Sequence, residues 1–437
     1  MFNSTEKQML LRERGGVKVT RLAQRCAKLL AGDSQAVSTS LAREVLELYA
    51  ELDRQQRVSF FHVLLNDFSP DAGRVLAAAQ QYAEDSSAER LAQLHELVEP
   101  PRQELLRRLN RAPGGTTAIL RIRTHLLQAL PDHPPLAAVD ADFRHLLTSW
   151  FNPGFLQLVR LDWRTPASLL ERIIAHDAVH EIQGWEDLRR RLEPDRRCFA
   201  FFHPALADEP LIFVEVALVE AMPEAIGPLL DRGVSRIDPQ RASVAALYSI
   251  NACQPGLRNV SLGNFLIKQV VELLAVEFPK LRRFCTLSPI PGFAKWLTAG
   301  LRAPAEDGSP LRSRALAMVS REIGQDLSRV VADPASAPAS LAPLRKALTA
   351  LCATYLVGGR GKAEEAQDPV ARFHLNNGAR LERLNWMADP SKRGLRQSLG
   401  MMVNYLYEPS AIEANHDRFA HGRIVASRQV TSIAIED

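Results

Sequence analysis

The hydrophobic period of this chain changes near residue 150, and that change limits what it can fold into. Before it, apolar residues recur at intervals of three and four. In "LAREVLELYAEL", Leu41, Val45, Leu48, Tyr49 and Leu52 fall on one helical face. Ser69–Pro70–Asp71 reads as a cap-and-proline start for a helix carrying Val75, Leu76 and Tyr82. A further helical pattern covers 86–109, broken at Pro100–Pro101. "APGGTT" (112–117) then reads as a loop ahead of a helix running through Leu130. Nothing in 1–150 alternates as a strand, and no repeat of fixed period occurs. Without clustered catalytic residue types, the segment reads as scaffold or oligomer interface.

Past residue 150 the pattern becomes that of a sheet. "RCFAFFH" (197–203) and "PLIFVEVALVE" (210–220) are β-rich runs around a turn-like "PALADE", and "VAALYSI" (244–250) is a third. "LGNFLIKQVVELLAVEF" (262–278) returns to helical period, with Phe265, Leu266, Val270, Leu273 and Leu274 in a stripe; "LRRFCTL" (281–287) is again strand-like. Strands followed by a helix and another strand make a mixed sheet. "DPASAPASLAP" (333–343) reads as an inserted loop or linker, and 368–407 as a short extended segment followed by a helix. The expected fold class is α+β: an all-helical domain over 1–150, then a mixed α/β domain over 151–437. A length of 437 residues suits two or three domains.

Charge narrows the partners. The 54 basic and 50 acidic residues leave a net charge of +4, too balanced for a nucleic-acid or membrane surface. No stretch approaches the roughly 20 apolar residues of a membrane span; "PLIFVEVALV" is short and carries Glu215. Cys26, Cys198, Cys253, Cys285 and Cys352 show no CxxC spacing and are odd in number, as expected of reduced, buried thiols. The start "MFNSTEKQMLLRERGG" lacks the apolar region of a signal peptide, and "SIAIED" is not a peroxisomal address. A cytoplasmic location is expected.

Three stretches can carry chemistry. In "TLSPIPGFAKWL" (286–297), Pro289 and Pro291 push Ser288 and Ile290 toward extended geometry, and Gly292 follows as a release point. One hydroxyl is thereby immobilised. In "NACQPGLRNVSLGNFLIKQVV" (251–271), a strand leads through a turn at Gly256 to a helix opened by Gly263. Helix N-terminal N–H groups bind phosphate without a basic surface, and Arg258 adds a charge-assisted contact. The loop resembles the pyrophosphate loop of GNAT-type acyl-CoA enzymes; an ordinary turn is the other reading. In "DPVARFHLNNGARLERLNWMADPSKRGLRQSLGMMVNYLYE" (368–408), His374 sits in an extended apolar context before Asn376, Asn377 and Gly378. It is either a satisfied structural residue or a proton donor and acceptor. His176 and His180 lie i,i+4 on a helix, but Asp177 stands where a metalloprotease needs Glu, and no third ligand is indicated. No metal is expected. No Gly-x-Ser-x-Gly elbow supports a hydrolase.

Taken together, the three stretches resemble the malonyl-CoA decarboxylase family, as do "LLRRLNRAPGG", "LTSWFNPGFLQLVRLDW" and "DLRRRLEPDRRCFAFFHP". The likeness spans about residues 85–408. It implies an N-terminal helical domain for self-assembly, as a tetramer, and a catalytic domain of GNAT-like fold. It implies conversion of malonyl-CoA to acetyl-CoA and CO2 without metal, biotin or another prosthetic group. The family's catalytic serine and histidine fall on Ser288 and His374. Its CoA diphosphate loop falls on Arg258, Asn259, Val260, Ser261, Leu262, Gly263 and Asn264, and supporting polar positions on Ser249 and Tyr407. Some members carry a glutamate where this chain has Ser261, so no carboxylate role passes to it.

Loss of CO2 from a malonyl thioester leaves an enolate, which must be stabilised and protonated at C2. On this reading Ser288 orients the substrate and His374 protonates C2. A GNAT-type N-acyltransferase, a Ser–His acyl-CoA hydrolase and a non-catalytic CoA-binding scaffold are the alternatives.

Overall fold

The computed structural model describes residues 4–32, 35–206, 208–260, 262, 266–302, 310–323, 327, 330, 332–358 and 368–434. Two compact units emerge. One comprises Met1–Leu156 with Phe202–Pro210 and Gln254–Leu262; the other comprises Gln157–Phe201, Leu211–Cys253 and Gly263–Asp437.

The first unit is built from α1 (Ser4–Ala31), α2 (Gln35–Ala50), α3 (Arg54–Asp67), α4 (Ala72–Glu84), α5 (Ala88–Val98), α6 (Pro101–Asn110), α7 (Gly115–Ala129) and α8 (Ala137–Trp150). No strand precedes Gln157 among the described residues. The α2 stripe is real: Leu41, Val45, Tyr49 and Leu52 are buried. Asp53 begins α3 with a reciprocal capping box to Gln56. Asp71, rather than Ser69, caps α4 by accepting from the Arg74 N–H. The expected helix forms as α4 but buries little. Leu76 is 61% exposed, as are Leu91 and Val98 of α5 in large part, because Ala78 is the one residue of these two helices that is fully buried. An amphipathic pattern gives a face, not its cover.

The second unit is centred on an eight-stranded mixed sheet: β1 (Gln157–Leu161), β2 (Arg196–Phe202), β3 (Ile212–Val219), β4 (Val244–Ala252), β5 (Arg283–Thr286), β6 (Ser288–Pro289), β7 (Arg380–Asn385) and β8 (Met402–Tyr407). The order is β1-β2-β3-β4-β5-β8-β6, with β7 on the other side of β8. β4 and β5 are parallel; the other recorded pairings are antiparallel. Glu215 pairs with Ser249 and Val216 with Leu247, so Tyr248 is an extra residue that bulges β4. The four strands expected at 197–287 are present. β1 and the short β6–β8 set were not anticipated.

Helices α9 (Ala167–His176), α10 (Trp185–Arg191), α11 (Gly227–Leu230), α12 (Leu266–Glu277), α13 (Phe293–Arg302) and α14 (Pro310–Ile323) belong to this unit. In α12, Leu266, Val270 and Leu274 are buried while Leu273 is 46% exposed. Residues 333–343 are not a linker: Ala337–Leu341 is helical and a 3-10 turn follows at Ala342–Leu344. Alanine's high helix propensity and the burial of Ala337, Leu341 and Leu344 outweigh the prolines, which stand near helix starts.

All five cysteines are buried and none forms a disulfide. No helix among the described residues is long and apolar enough to cross a membrane.

Candidate active site

Ser288 is held as the sequence suggested. It lies in β6, where Ser288 pairs with Val403 and Pro289 with Met402 of β8. Its hydroxyl is buried and donates to Thr286 Oγ1 at 2.8 Å. Thr286 Oγ1 also accepts from the Tyr405 N–H at 3.2 Å, so the hydroxyl pair is tied to the sheet.

His374 is on a helix, Pro369–Asn376, not in an extended segment. Asp368 is its N-cap, accepting from the N–H groups of Val370 and Ala371, and Pro369 occupies the first turn, where a missing N–H costs nothing. The same cap-and-proline signal that marked α4 was present here. The remaining order over 368–407 is helix, β7, helix (Lys392–Ser398), β8.

The helix and the β6 strand bring together two side chains 86 residues apart: Ser288 Oγ and His374 Nε2 stand 3.0 Å from each other. Side chains two apart on a strand share a face, so Tyr405 and Tyr407 of β8 both reach the imidazole. Tyr405 stacks on it with centroids 4.5 Å apart, and the Tyr407 hydroxyl meets Nδ1 at 2.8 Å. Burial pushes the Tyr407 pKa far up, so the phenol keeps its proton. Burial pushes His374 down to about 3, so the ring is a neutral imidazole rather than a group poised near neutrality. With the Tyr407 phenol donating to Nδ1, the ring proton sits on Nε2 and points at Ser288.

Asp368 does more than start the helix. Its Oδ2 accepts from the Gly292 N–H at 3.0 Å and from the Tyr355 hydroxyl at 3.4 Å. A Cβ at position 292 would lie 2.1 Å from that tyrosine oxygen, which explains the glycine after the two prolines. One carboxylate thus joins the loop after Ser288 to the helix of His374.

Ser288 and His374 face a cavity of about 210 Å³ whose other walls are Val179, Ile212, Leu247, Tyr248, Ile250, Ala252, Pro289, Pro369, Val370 and Phe373. Among the described residues, no Lys, Arg, Asp or Glu lines it. Tyr407 is not a wall residue; it acts on His374 from behind. Ser249 is not a wall residue either. Its hydroxyl donates to Asp177 Oδ1 at 3.2 Å and accepts from the Asn251 amide at 2.8 Å. Both belong to a buried cluster in which Arg191 reaches Asp177, Asp187 and Glu215. There, burial raises Glu215 to about 8, despite the guanidinium. His176 and His180 do not share a helix. α9 ends at His176, and Asp177 turns the chain by accepting from the Val179 and His180 N–H groups. Among the described residues, no group of three or more His, Cys, Asp or Glu is arranged to hold a metal ion.

The turn carrying Arg258, Asn259 and Val260 belongs to the helical unit; Ser261, Gly263 and Asn264 lie outside the described residues. Leu262 is half-buried, Val260 is buried, and Arg258 and Asn259 are exposed, the latter at a left-handed φ of 60° that asparagine tolerates. Pro255–Leu257 forms a 3-10 turn ahead of them.

Ser288, His374 and Tyr407 thus form a buried hydrogen-bonded chain that opens on an apolar cavity. Comparison places it among known proteins. Residues 68–151 match the malonyl-CoA decarboxylase N-terminal domain and 154–436 the C-terminal domain. The mitochondrial malonyl-CoA decarboxylase of Anser anser anser is 33% identical over 96% of this chain and 89% of its own, and that of Mus musculus 32% over 88% and 83%. The crystal structure of malonyl-CoA decarboxylase from Rhodopseudomonas palustris is 45% identical, with a TM-score of 0.86 over 95% of this chain and 99% of that one. The structure from Agrobacterium vitis is 44% identical with a TM-score of 0.84, over 95% and 100%. The chain belongs to the malonyl-CoA decarboxylase family, a family of carboxy-lyases.

Proposed function

We propose that the Ser288–His374 pair carries out the decarboxylation of malonyl-CoA to acetyl-CoA and CO2. The observation that carries this is the 3.0 Å Oγ–Nε2 contact in a cavity without charged walls among the described residues. Against those walls a malonyl carboxylate finds no counter-charge, which favours departure as CO2. The electron pair of the C2–carboxylate bond passes into the thioester, giving an enolate. The Ser288 hydroxyl and the Nε2–H of His374 are held at the cavity wall, and as that charge forms they turn to it from their resting partners, Thr286 and Ser288. C2 then takes one proton from the pair, and the pair regains it from solvent after product leaves. The thioester itself delocalises the electrons, so the scheme asks nothing of a metal or prosthetic group. Ser288 is assigned to orientation and His374 to proton delivery, with Tyr407 fixing the tautomer. Ser249 is assigned a structural place in the Asp177 cluster.

CoA's diphosphate is assigned to the turn at Arg258 and Asn259, supported by the exposed guanidinium. Self-association through the helical unit is supported by the exposed Leu76, Leu91 and Val98. The test is one incubation with malonyl-CoA alone, following CO2, acetyl-CoA and free thiol. Equal CO2 and acetyl-CoA support the reading; thiol release without CO2 refutes it.

A further inference from the structure

Arg123 of α7 is fully buried, at 0% exposure, yet the chemistry above gives it nothing to do. Its Nε donates to Asp140 Oδ1 at 2.8 Å and its Nη2 to Asp140 Oδ2 at 3.4 Å. Its Nη1 donates to the carbonyl oxygen of Gly256 at 2.6 Å, 133 residues away. That carbonyl belongs to the turn immediately before Arg258. The turn also lies flat on α7. A Cβ at position 256 would stand 2.3 Å from the Leu120 carbonyl oxygen and 2.9 Å from its Cα. The Arg258 N–H then bonds the Pro255 carbonyl and the Val260 N–H bonds the Leu257 carbonyl, so the exposed Arg258–Asn259 tip is continuous with the anchored part.

We infer that Arg123 is a positioning residue for CoA: it locks the Pro255–Leu257 turn to α7 and so sets where Arg258 meets the diphosphate. A buried guanidinium needs its carboxylate partner, and Asp140 supplies it. The third nitrogen is then free to grip a single carbonyl in a fixed fork, which an ammonium could not do in the same geometry. The role of Arg123 rests on the assignment of the diphosphate to the Arg258 turn.

The experiment compares kcat/KM for malonyl-CoA with that for malonyl-pantetheine, which has the same acyl thioester but no diphosphate. Three variants are made in the full chain: Arg258→Ala, Gly256→Ala, and the double variant Arg123→Met with Asp140→Leu, which leaves no charge unpaired. The malonyl-CoA to malonyl-pantetheine ratio is expected to fall about tenfold or more in all three, as for a misplaced binding group. A fall in Arg258→Ala with no change in the double variant or Gly256→Ala overturns the role of Arg123 alone. An unchanged ratio in Arg258→Ala overturns the diphosphate assignment, and the inference with it. A parallel loss on both substrates in the double variant shows a merely structural arginine and also overturns it. Should the double variant fail to fold, Gly256→Ala, which keeps both charges and displaces only the turn, decides the question.

Discussion

Asp368 Oδ2 accepts a hydrogen bond from the Gly292 N–H at 3.0 Å, while the other carboxylate oxygen caps the helix that carries His374. Two segments 76 residues apart are thus set by one side chain. Asp368→Ala removes the cap, worth about 1 kcal/mol of stability, and the tie to the serine loop. The expected result is a kcat lower by about tenfold to a hundredfold with little change in KM, because the reacting groups shift while the CoA contacts do not. Asparagine is also a good N-cap but offers one acceptor oxygen, so Asp368→Asn should restore the stability while leaving the Gly292 N–H unbonded and kcat low. Steady-state kinetics on both variants check this.

Ser288→Ala and His374→Gln are each expected to lower kcat by about 10² to 10⁴. Tyr407→Phe, which removes only the group on Nδ1, should cost less, about tenfold. No acyl adduct on Ser288 should be trapped during turnover, since the serine is not a nucleophile in this scheme. Mass spectrometry of the quenched enzyme is the check.

The pH response follows from a histidine held neutral. In the fold His374 titrates near 3 and in the unfolded chain near 6.5, so the unfolded state binds the extra proton between those values. Stability therefore falls as pH drops below about 6.5, by about 1.4 kcal/mol per pH unit from this group, and levels off near 3. His180, also lowered to about 3 by desolvation and the Arg191 charge, acts in the same direction. Urea titrations near pH 7 and pH 5 should show the loss, and His374→Gln should shrink it. The rate should show no break near 6.5 from His374; a falling acidic limb centred there would contradict the neutral ring.

Glu215 presents the opposite sign. Its pKa is raised to about 8, so it is protonated near neutral pH, and glutamine reproduces its shape and neutrality. Glu215→Gln should change the unfolding free energy by less than about 1 kcal/mol. Glu215→Ala removes one acceptor of Arg191, which keeps Asp177 and Asp187, and should cost about 1–3 kcal/mol. Thermal and denaturant unfolding distinguish the two.

Ser288 could be singled out from the sequence because its proline and glycine signals are local, whereas His374 stayed open between a structural and a proton-handling residue until the family resemblance pointed to it. The neighbours that make them a site could not be singled out. Thr286 and Tyr405 meet only because strands 119 residues apart pair, a partnership that no local pattern encodes. The helix of His374 was missed for another reason: Asp368–Pro369 was legible, but the apolar run after it was read as extended. Leu76 failed differently, since its pattern is helical but nothing in the sequence says whether a face finds a cover. Arg123 gives no signal at all, as its value lies in a carbonyl far along the chain.

Strands on both flanks of β8 fix its position. Side chains on a strand alternate, so sliding β8 by one residue would rotate both tyrosines away from the imidazole and present Leu406 instead. A single deletion just ahead of Met402 could therefore silence the enzyme with every catalytic side chain still in the chain.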